Sequence, residues 1–209
     1  MADLSYHRLY TAFRKHDDYD VVFRSALEAV ADKMDFSWVK SCLAFGPGSG
    51  EREMEFVRRL MPNLRSFIAV EQDYESIEAL RTNFEEGRLL GVELSVVETC
   101  LESCSGVDSA VDAVLFISML CNIHTTNRRA LFQQLKRRYM NSVGVVIVAE
   151  NSRTTPSGYL MIMERLGKMR DDYELMEKEM LEAGFRVVLS RISRTSPVQT
   201  TTLLSLSSY

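Results

Sequence analysis

The chain has 209 residues, 46% hydrophobic and 26% charged, with 10 Gly, 4 Pro and a formal net charge of −4. That length gives one domain with room for a substantial core, and the composition excludes disordered, collagen-like and low-complexity architectures. The slight acidity supplies no field for a polyanion, so nucleic acid is not expected as a partner.

A short helix is expected around Leu4–Phe13, and a longer one over Tyr19–Met34. In the longer one Val22, Phe23, Ala26, Leu27, Val30 and Met34 recur at helical spacing. Ser41–Phe45 is a compact apolar run that meets the turn Gly46-Pro47-Gly48-Ser49-Gly50, a strand followed by a sharp bend. Met54, Val57 and Leu60 then mark a helix. Ser66–Val70 is a strand, and Ile77, Leu80 and Phe84 mark the next helix. Val92–Val97 is a third strand, before a loop over Glu98–Asp108. Ala113–Ile117 and Val143–Ala149 are buried strands on either side of a helix carrying Ala130, Leu131 and Leu135. Asp171–Ala183 is helical, and Gly184 suits its C-terminal stop. Phe185–Ile192 and Thr200–Leu206 follow with no helix between them, so they pair as an antiparallel hairpin. Apolar strands interleaved with helices predict an open α/β sheet, mostly parallel and covered on both faces.

Neither Val114–Leu120 nor Val143–Ala149 approaches the roughly 20 apolar residues that cross a bilayer, so no membrane is expected. Met1–Ser5 lacks a basic region before an apolar stretch, so no signal peptide is expected. Cys42, Cys100, Cys104 and Cys121 read as reduced thiols of a cytoplasmic protein, and Cys100-x3-Cys104 lacks a second zinc-ligand pair. Arg128, Arg129, Lys136, Arg137 and Arg138 read as a solvated basic helix face. His124 follows the fourth strand, where a loop histidine usually has no chemical duty. The Met residues of Met161–Met180 read mainly as helical core.

The informative feature is the glycine turn. Three glycines let the chain bend tightly and bring main chain against a ligand without intervening side chains. Glu71 ends the second strand 21 positions beyond Gly50, where a carboxylate can accept hydrogen bonds from ribose hydroxyls. A nucleoside-containing cofactor follows from the pair. A dinucleotide fingerprint runs G-x-G-x-x-G/A, but here Glu51 stands at the third position. A carboxylate at that helix start repels pyrophosphate and tolerates a phosphate-free sulfonium, which favours S-adenosyl-L-methionine over NAD.

With Gly46–Gly50, Val70-Glu71, Glu98-Thr99 and Asp112-x4-Ile117-x-Met119-Leu120 in this order, the chain resembles class I S-adenosylmethionine-dependent methyltransferases. Phe13, His16, Tyr19 and Phe23-Arg24 make the histamine N-methyltransferase family the closest likeness. The resemblance implies a Rossmann-like methyltransferase sandwich with a mostly parallel seven-stranded sheet, an antiparallel C-terminal hairpin and N-terminal helices. Residues 1–38 would form a substrate-side helical segment, and residues 39–209 the cofactor-binding core. It implies that Gly46, Gly48 and Gly50 lie along the cofactor, Glu71 holds the ribose and Ser76 supplies a polar contact. Thr99 and Cys100 would border the adenine, and Ile117 would pack beside the cofactor. Asp32 would meet the ammonium group of the acceptor, with Phe13, Tyr19, Ser118, Cys121 and Asn122 along the substrate.

Two departures from that family stand out. Cys121-Asn122 replaces its paired Tyr, and only Ser193–Gln199 joins the last two strands, where the family has a long insertion. Both admit a different or bulkier acceptor in a more open site. Transfer from a sulfonium needs a neutral nucleophile held in line, so proximity and desolvation serve without a strong base, and no catalytic residue is assigned. The expected protein is a cytoplasmic, monomeric N-methyltransferase of a small amine or heterocycle. O- or S-methylation, or a fold that kept the cofactor and lost catalysis, are its rivals.

Overall fold

The computed structural model describes residues 17–89, 91–100, 106–120, 123–154, 173–195 and 198–207. Within them α1 spans Asp17–Ala31, β1 Ser41–Phe45, α2 Glu51–Leu60, β2 Ser66–Glu71 and α3 Tyr74–Asn83. β3 spans Glu93–Glu98, β4 Val111–Ile117, α4 Thr125–Gln134, β5 Met140–Thr154, α5 Tyr173–Glu182, β6 Arg186–Thr195 and β7 Val198–Leu206. α3 and α4 each run on into a π-helical turn, Phe84–Arg88 and Leu135–Tyr139.

The seven strands form one sheet in the order β3-β2-β1-β4-β5-β7-β6. β1 through β5 are parallel, while β7 lies antiparallel between β5 and β6. The expected hairpin is therefore present, and a short turn can make it only because its strands are antiparallel. The direction of winding reverses between β1 and β4, opening a crevice at their carboxyl ends where open α/β sheets bind ligands.

Consecutive strand residues point to opposite faces, and both faces are covered. Cys42, Ala44, Phe67, Ala69, Leu115 and Ile147 join one core with residues of α1, α2 and α3. Leu43, Phe45, Val70, Phe116, Val146 and Leu203 join the other with Leu131, Phe132, Met176 and Met180 of α4 and α5. Two-sided burial is why these strands read as continuous apolar runs. Each large core side chain contributes heavily, with about 3–5 kcal/mol lost on truncating a buried Phe. β3 and β6 are the two edges of the sheet, and the residues of β3 are exposed or half-buried.

Three expectations need correction. α1 stops at Ala31, not Met34. β5 is much longer than Val143–Ala149, because its ends find partners outside the apolar run. Asn141 Nδ2 donates to Asp112 Oδ1 at 2.6 Å, and Asn151–Thr154 continues the pairing with β7. Arg128 is not on a solvated face at all. It is fully buried, and its Nε donates to Glu179 Oε2 of α5 at 2.5 Å in a pair only 0% and 1% exposed. Arg129 is half-exposed, and Lys136 donates to the Gly184 carbonyl. The predicted helix over Leu4–Phe13 lies outside the described residues, as do Met161 and Met163.

The amino edge of the sheet is fastened by Asp112. Its Oδ2 accepts from Lys40 N at 2.8 Å, Ser41 N at 3.0 Å and Ser41 Oγ at 3.2 Å. Burial alone would raise its pKa, but the bonds from Lys40, Asn141 and Ser41 together hold it below the usual carboxylate range.

Candidate functional site

The glycine turn stands at the carboxyl end of β1. Gly46, Gly48 and Gly50 all have positive φ, at 55°, 58° and 73°. Gly50 is the most constrained: a Cβ there would lie 2.2 Å from Leu80 Cδ1 and 2.9 Å from Met54 Cε. Only glycine suits both that conformation and that close approach. Gly50 also caps α2, accepting from Met54 N at 2.9 Å. The turn is anchored to α3 by Asn83 Nδ2, which donates to the Ser49 carbonyl at 2.9 Å.

Register brings the acid to the turn. Phe45 pairs with Val70 on one side and with Phe116 on the other, so Gly46 is flanked by Glu71 and Ile117. Gly46 N donates to the Val70 carbonyl at 2.8 Å. Glu71 is 7% exposed. Its Oε2 accepts from Gly48 N at 3.0 Å, while Oε1 accepts from Gln72 N at 2.8 Å and Asp73 N at 3.0 Å. A carboxylate offers about four acceptor sites, so three backbone bonds leave capacity on the Oε2 side. Glu71 thus also fastens the glycine turn, a duty that sequence reasoning missed.

The neighbouring residues follow from the same edge. Asp73 caps α3 by accepting from Ser76 N at 2.9 Å, which sets the buried Ser76 in the first turn after Glu71. Glu71 pairs with Glu98, so Thr99 and Cys100 emerge beside it, Thr99 partly buried and Cys100 exposed. Ile117 ends β4 and is 2% exposed. Ser118 follows with φ 52°, the one non-glycine residue with positive φ among those described. Glu51 is exposed at the start of α2, as the argument against pyrophosphate requires. By contrast Cys42 lies fully inside β1, where burial and the carboxylates of Glu53 and Asp112 push its thiol far up, so it is inert.

Asp32 is not at this edge. Asp20 Oδ1 meets Arg52 Nη2 at 2.6 Å in the first turn of α2, and Phe23 packs edge-on against Phe56 one turn later. α1 therefore runs in the same direction as α2, away from the glycine turn. At about 1.5 Å per residue, Asp32 lies roughly 18 Å beyond Asp20 toward the amino edge, and it is exposed. Among the described side chains, the acid that α1 does bring to the carboxyl end is Asp20, which sequence reasoning missed. Its carboxylate is engaged by Arg52 and, at 2.6 Å, by Arg24 Nε. His124 has a structural duty, since its ring caps α4 and its Nδ1 lies 2.9 Å from Thr126 Oγ1. Phe13, Cys121, Asn122 and the side chain of Tyr19 lie outside the described residues.

A second acid at the carboxyl edge was also missed. Glu150, 1% exposed in β5, accepts at Oε1 from Met119 N at 2.5 Å and Leu120 N at 2.6 Å. The signal was available: like Glu71, it follows an apolar strand run directly. Among the described residues, no helix is long and apolar enough to cross a membrane.

Strand order, with the glycine turn after β1 and the acid that ends β2, matches the Rossmann-like methyltransferase fold. Solved structures agree. A S-adenosylmethionine-dependent methyltransferase from Clostridium acetobutylicum superposes with a TM-score of 0.69 at 11% identity, over 98% of this chain and 99% of that one. The N-methyltransferase NodS from Bradyrhizobium japonicum, in complex with S-adenosyl-L-homocysteine, gives 0.63 at 12% identity, over 98% and 89%. The S-adenosylmethionine-dependent methyltransferase SibL gives 0.65 at 14% identity over 89% of this chain, which spans 55% of SibL. No family model and no curated protein matches the sequence.

Proposed function

We propose that the protein is a methyltransferase that takes its methyl group from S-adenosyl-L-methionine and passes it to a nitrogen of a small amine or heterocycle. The observation that carries the cofactor is the joined pair of Gly48 and Glu71: a side-chain-free turn whose main chain is bonded to a buried acid with acceptor capacity left. In this reading the ribose hydroxyls meet Glu71, the methionine part runs along Gly46 and Gly48, and Thr99 and Cys100 border the adenine. Ile117 packs beside the cofactor, and Ser76 adds a polar contact from α3. When bound, the cofactor supplies an electrophilic methyl on a positive sulfur. Exposed Glu51 at the α2 start favours that positive, phosphate-free group over a pyrophosphate.

The protein's own part is to orient and desolvate. An in-line displacement gains most from holding the acceptor's lone pair along the bond that breaks, which requires no strong base. The reaction as proposed leaves a neutral sulfur and an acceptor that sheds one proton to water or buffer. Ser118, Cys121 and Asn122 after β4, with Phe13 and Tyr19 before and within α1, are the residues assigned to the acceptor. Nitrogen as the acceptor rests on the N-terminal likeness to histamine N-methyltransferases, carried by Phe13, His16, Tyr19 and Phe23-Arg24.

A labelled-methyl transfer assay over panels of amines, phenols and thiols tests the reading. Turnover confined to amines or nitrogen heterocycles is expected. Turnover on phenols or thiols alone would replace nitrogen by oxygen or sulfur, and none on any panel would remove the enzyme reading.

A further inference from the structure

β5 outruns its parallel neighbour. The pairing of β4 with β5 closes at Ile117 and Ala149, whereas β5 continues to Thr154 against β7. Glu150 is the residue at that fork, where the chain of β4 turns away. Its buried carboxyl group receives the N–H groups of Met119 and Leu120 on one oxygen.

The segment so held is held from other sides too. Ser118 N donates to the Ala149 carbonyl at 2.8 Å, and the Met119 and Leu120 side chains are sunk in the core below. Ser118 keeps a backbone conformation that L-residues avoid, and such a conformation persists only where the surroundings over-determine it. Because Phe116 sits opposite Phe45, this turn begins beside Gly46, on the side away from Glu71. It is the other wall of the crevice between β1 and β4.

We infer that Glu150 is a positioning residue of the methyl-transfer site, fixing the Ser118–Leu120 turn as the wall that faces the glycine turn. This rests on the methyltransferase reading above. Glu150 does not act on the acceptor: one oxygen is committed to two main-chain donors and the residue is buried. Its effect passes through the backbone it holds. An acid at the end of β2 and another near the end of β5 thus fasten the two loops that border one crevice, each by accepting main-chain N–H groups.

The test titrates S-adenosyl-L-homocysteine into the full chain by calorimetry, for wild type, Glu150→Ala, Glu150→Asp and Glu150→Gln. Amide exchange at Met119 and Leu120 is followed in parallel, with Gly46 as the internal reference. Glu150→Ala is expected to weaken binding about tenfold, within the range by which loosening one element changes the affinity of a site it borders. It should also speed exchange at Met119 and Leu120 while Gly46 stays protected. Glu150→Gln keeps an acceptor oxygen and should recover most of the affinity. Glu150→Asp, too short to reach both donors, should fall between Ala and wild type and carries the test if the Ala variant does not fold. A residue needed only for stability would lower the melting temperature and leave the affinity of the folded protein unchanged, and that result overturns the inference. Absence of binding by wild type would instead overturn the methyltransferase reading itself.

Discussion

Replacing Glu71 with Ala removes one acceptor from three backbone donors, and the three are not equivalent. Gly48 is buried, so its N–H would be left without a partner, which costs about 1–3 kcal/mol. Gln72 is exposed and Asp73 half-buried, so water can take over there and each loss is at most about 0.5–1.5 kcal/mol. The loss of stability without ligand is then about 3 kcal/mol, or a fall in melting temperature of roughly 6–12 °C for a chain of this size. The affinity for S-adenosyl-L-methionine should fall at least about tenfold as well, since a charge-assisted bond is worth about 1.5–3 kcal/mol. Glu71→Gln should lie between, because its single carbonyl oxygen can serve either Gly48 or the Gln72–Asp73 pair. Differential scanning calorimetry gives the first quantity, and isothermal titration well below the transition gives the second. A melting temperature within about 1 °C of wild type would refute the fastening of the glycine turn. Unchanged affinity would refute the ribose assignment.

Arg128→Met strands a buried carboxylate at Glu179 and should cost about 3–5 kcal/mol in urea unfolding, while Arg128→Met with Glu179→Leu should recover most of it. A single-variant cost below about 1 kcal/mol would mean that the pair is solvated. Asp112 has a lowered folded pKa, so its stabilisation is complete above the ordinary Asp value near about 4 and is lost as pH falls through the folded value. Urea midpoints measured from neutral to acid pH should therefore fall more steeply below about pH 4 for wild type than for Asp112→Asn, and parallel curves would contradict the assignment. Asp32→Ala should leave cofactor affinity and turnover as they are, and a selective rise in KM for cationic acceptors would return Asp32 to the site.

The glycine turn and the acid beside it were legible because their signals are local. Gly46–Gly50 carries its own backbone requirement, and Glu71 directly follows the apolar run that marks β2. The strand alternation carried the parallel sheet and its terminal hairpin for the same reason. What was not legible depends on relations across the chain. The periodicity of α1 says nothing of its direction, which is visible only through Asp20 with Arg52 and Phe23 with Phe56, and that direction removes Asp32 from the site. Arg128 looked like one member of a basic run because its partner Glu179 stands 51 positions away. Yet Leu131, Phe132 and Leu135 lie three, four and seven positions on from it, on one buried helix stripe. Glu150 follows its apolar run as Glu71 does, but its role is hidden because the donors it holds belong to the turn after another strand.

Everything proposed for the carboxyl edge of the sheet depends on the identity of the cofactor. Isothermal titration of the full chain with S-adenosyl-L-methionine and, separately, with NAD tests it most directly. One S-adenosyl-L-methionine should bind per chain, with no heat of binding for NAD. Saturable binding of NAD with none of S-adenosyl-L-methionine would contradict the cofactor assignment.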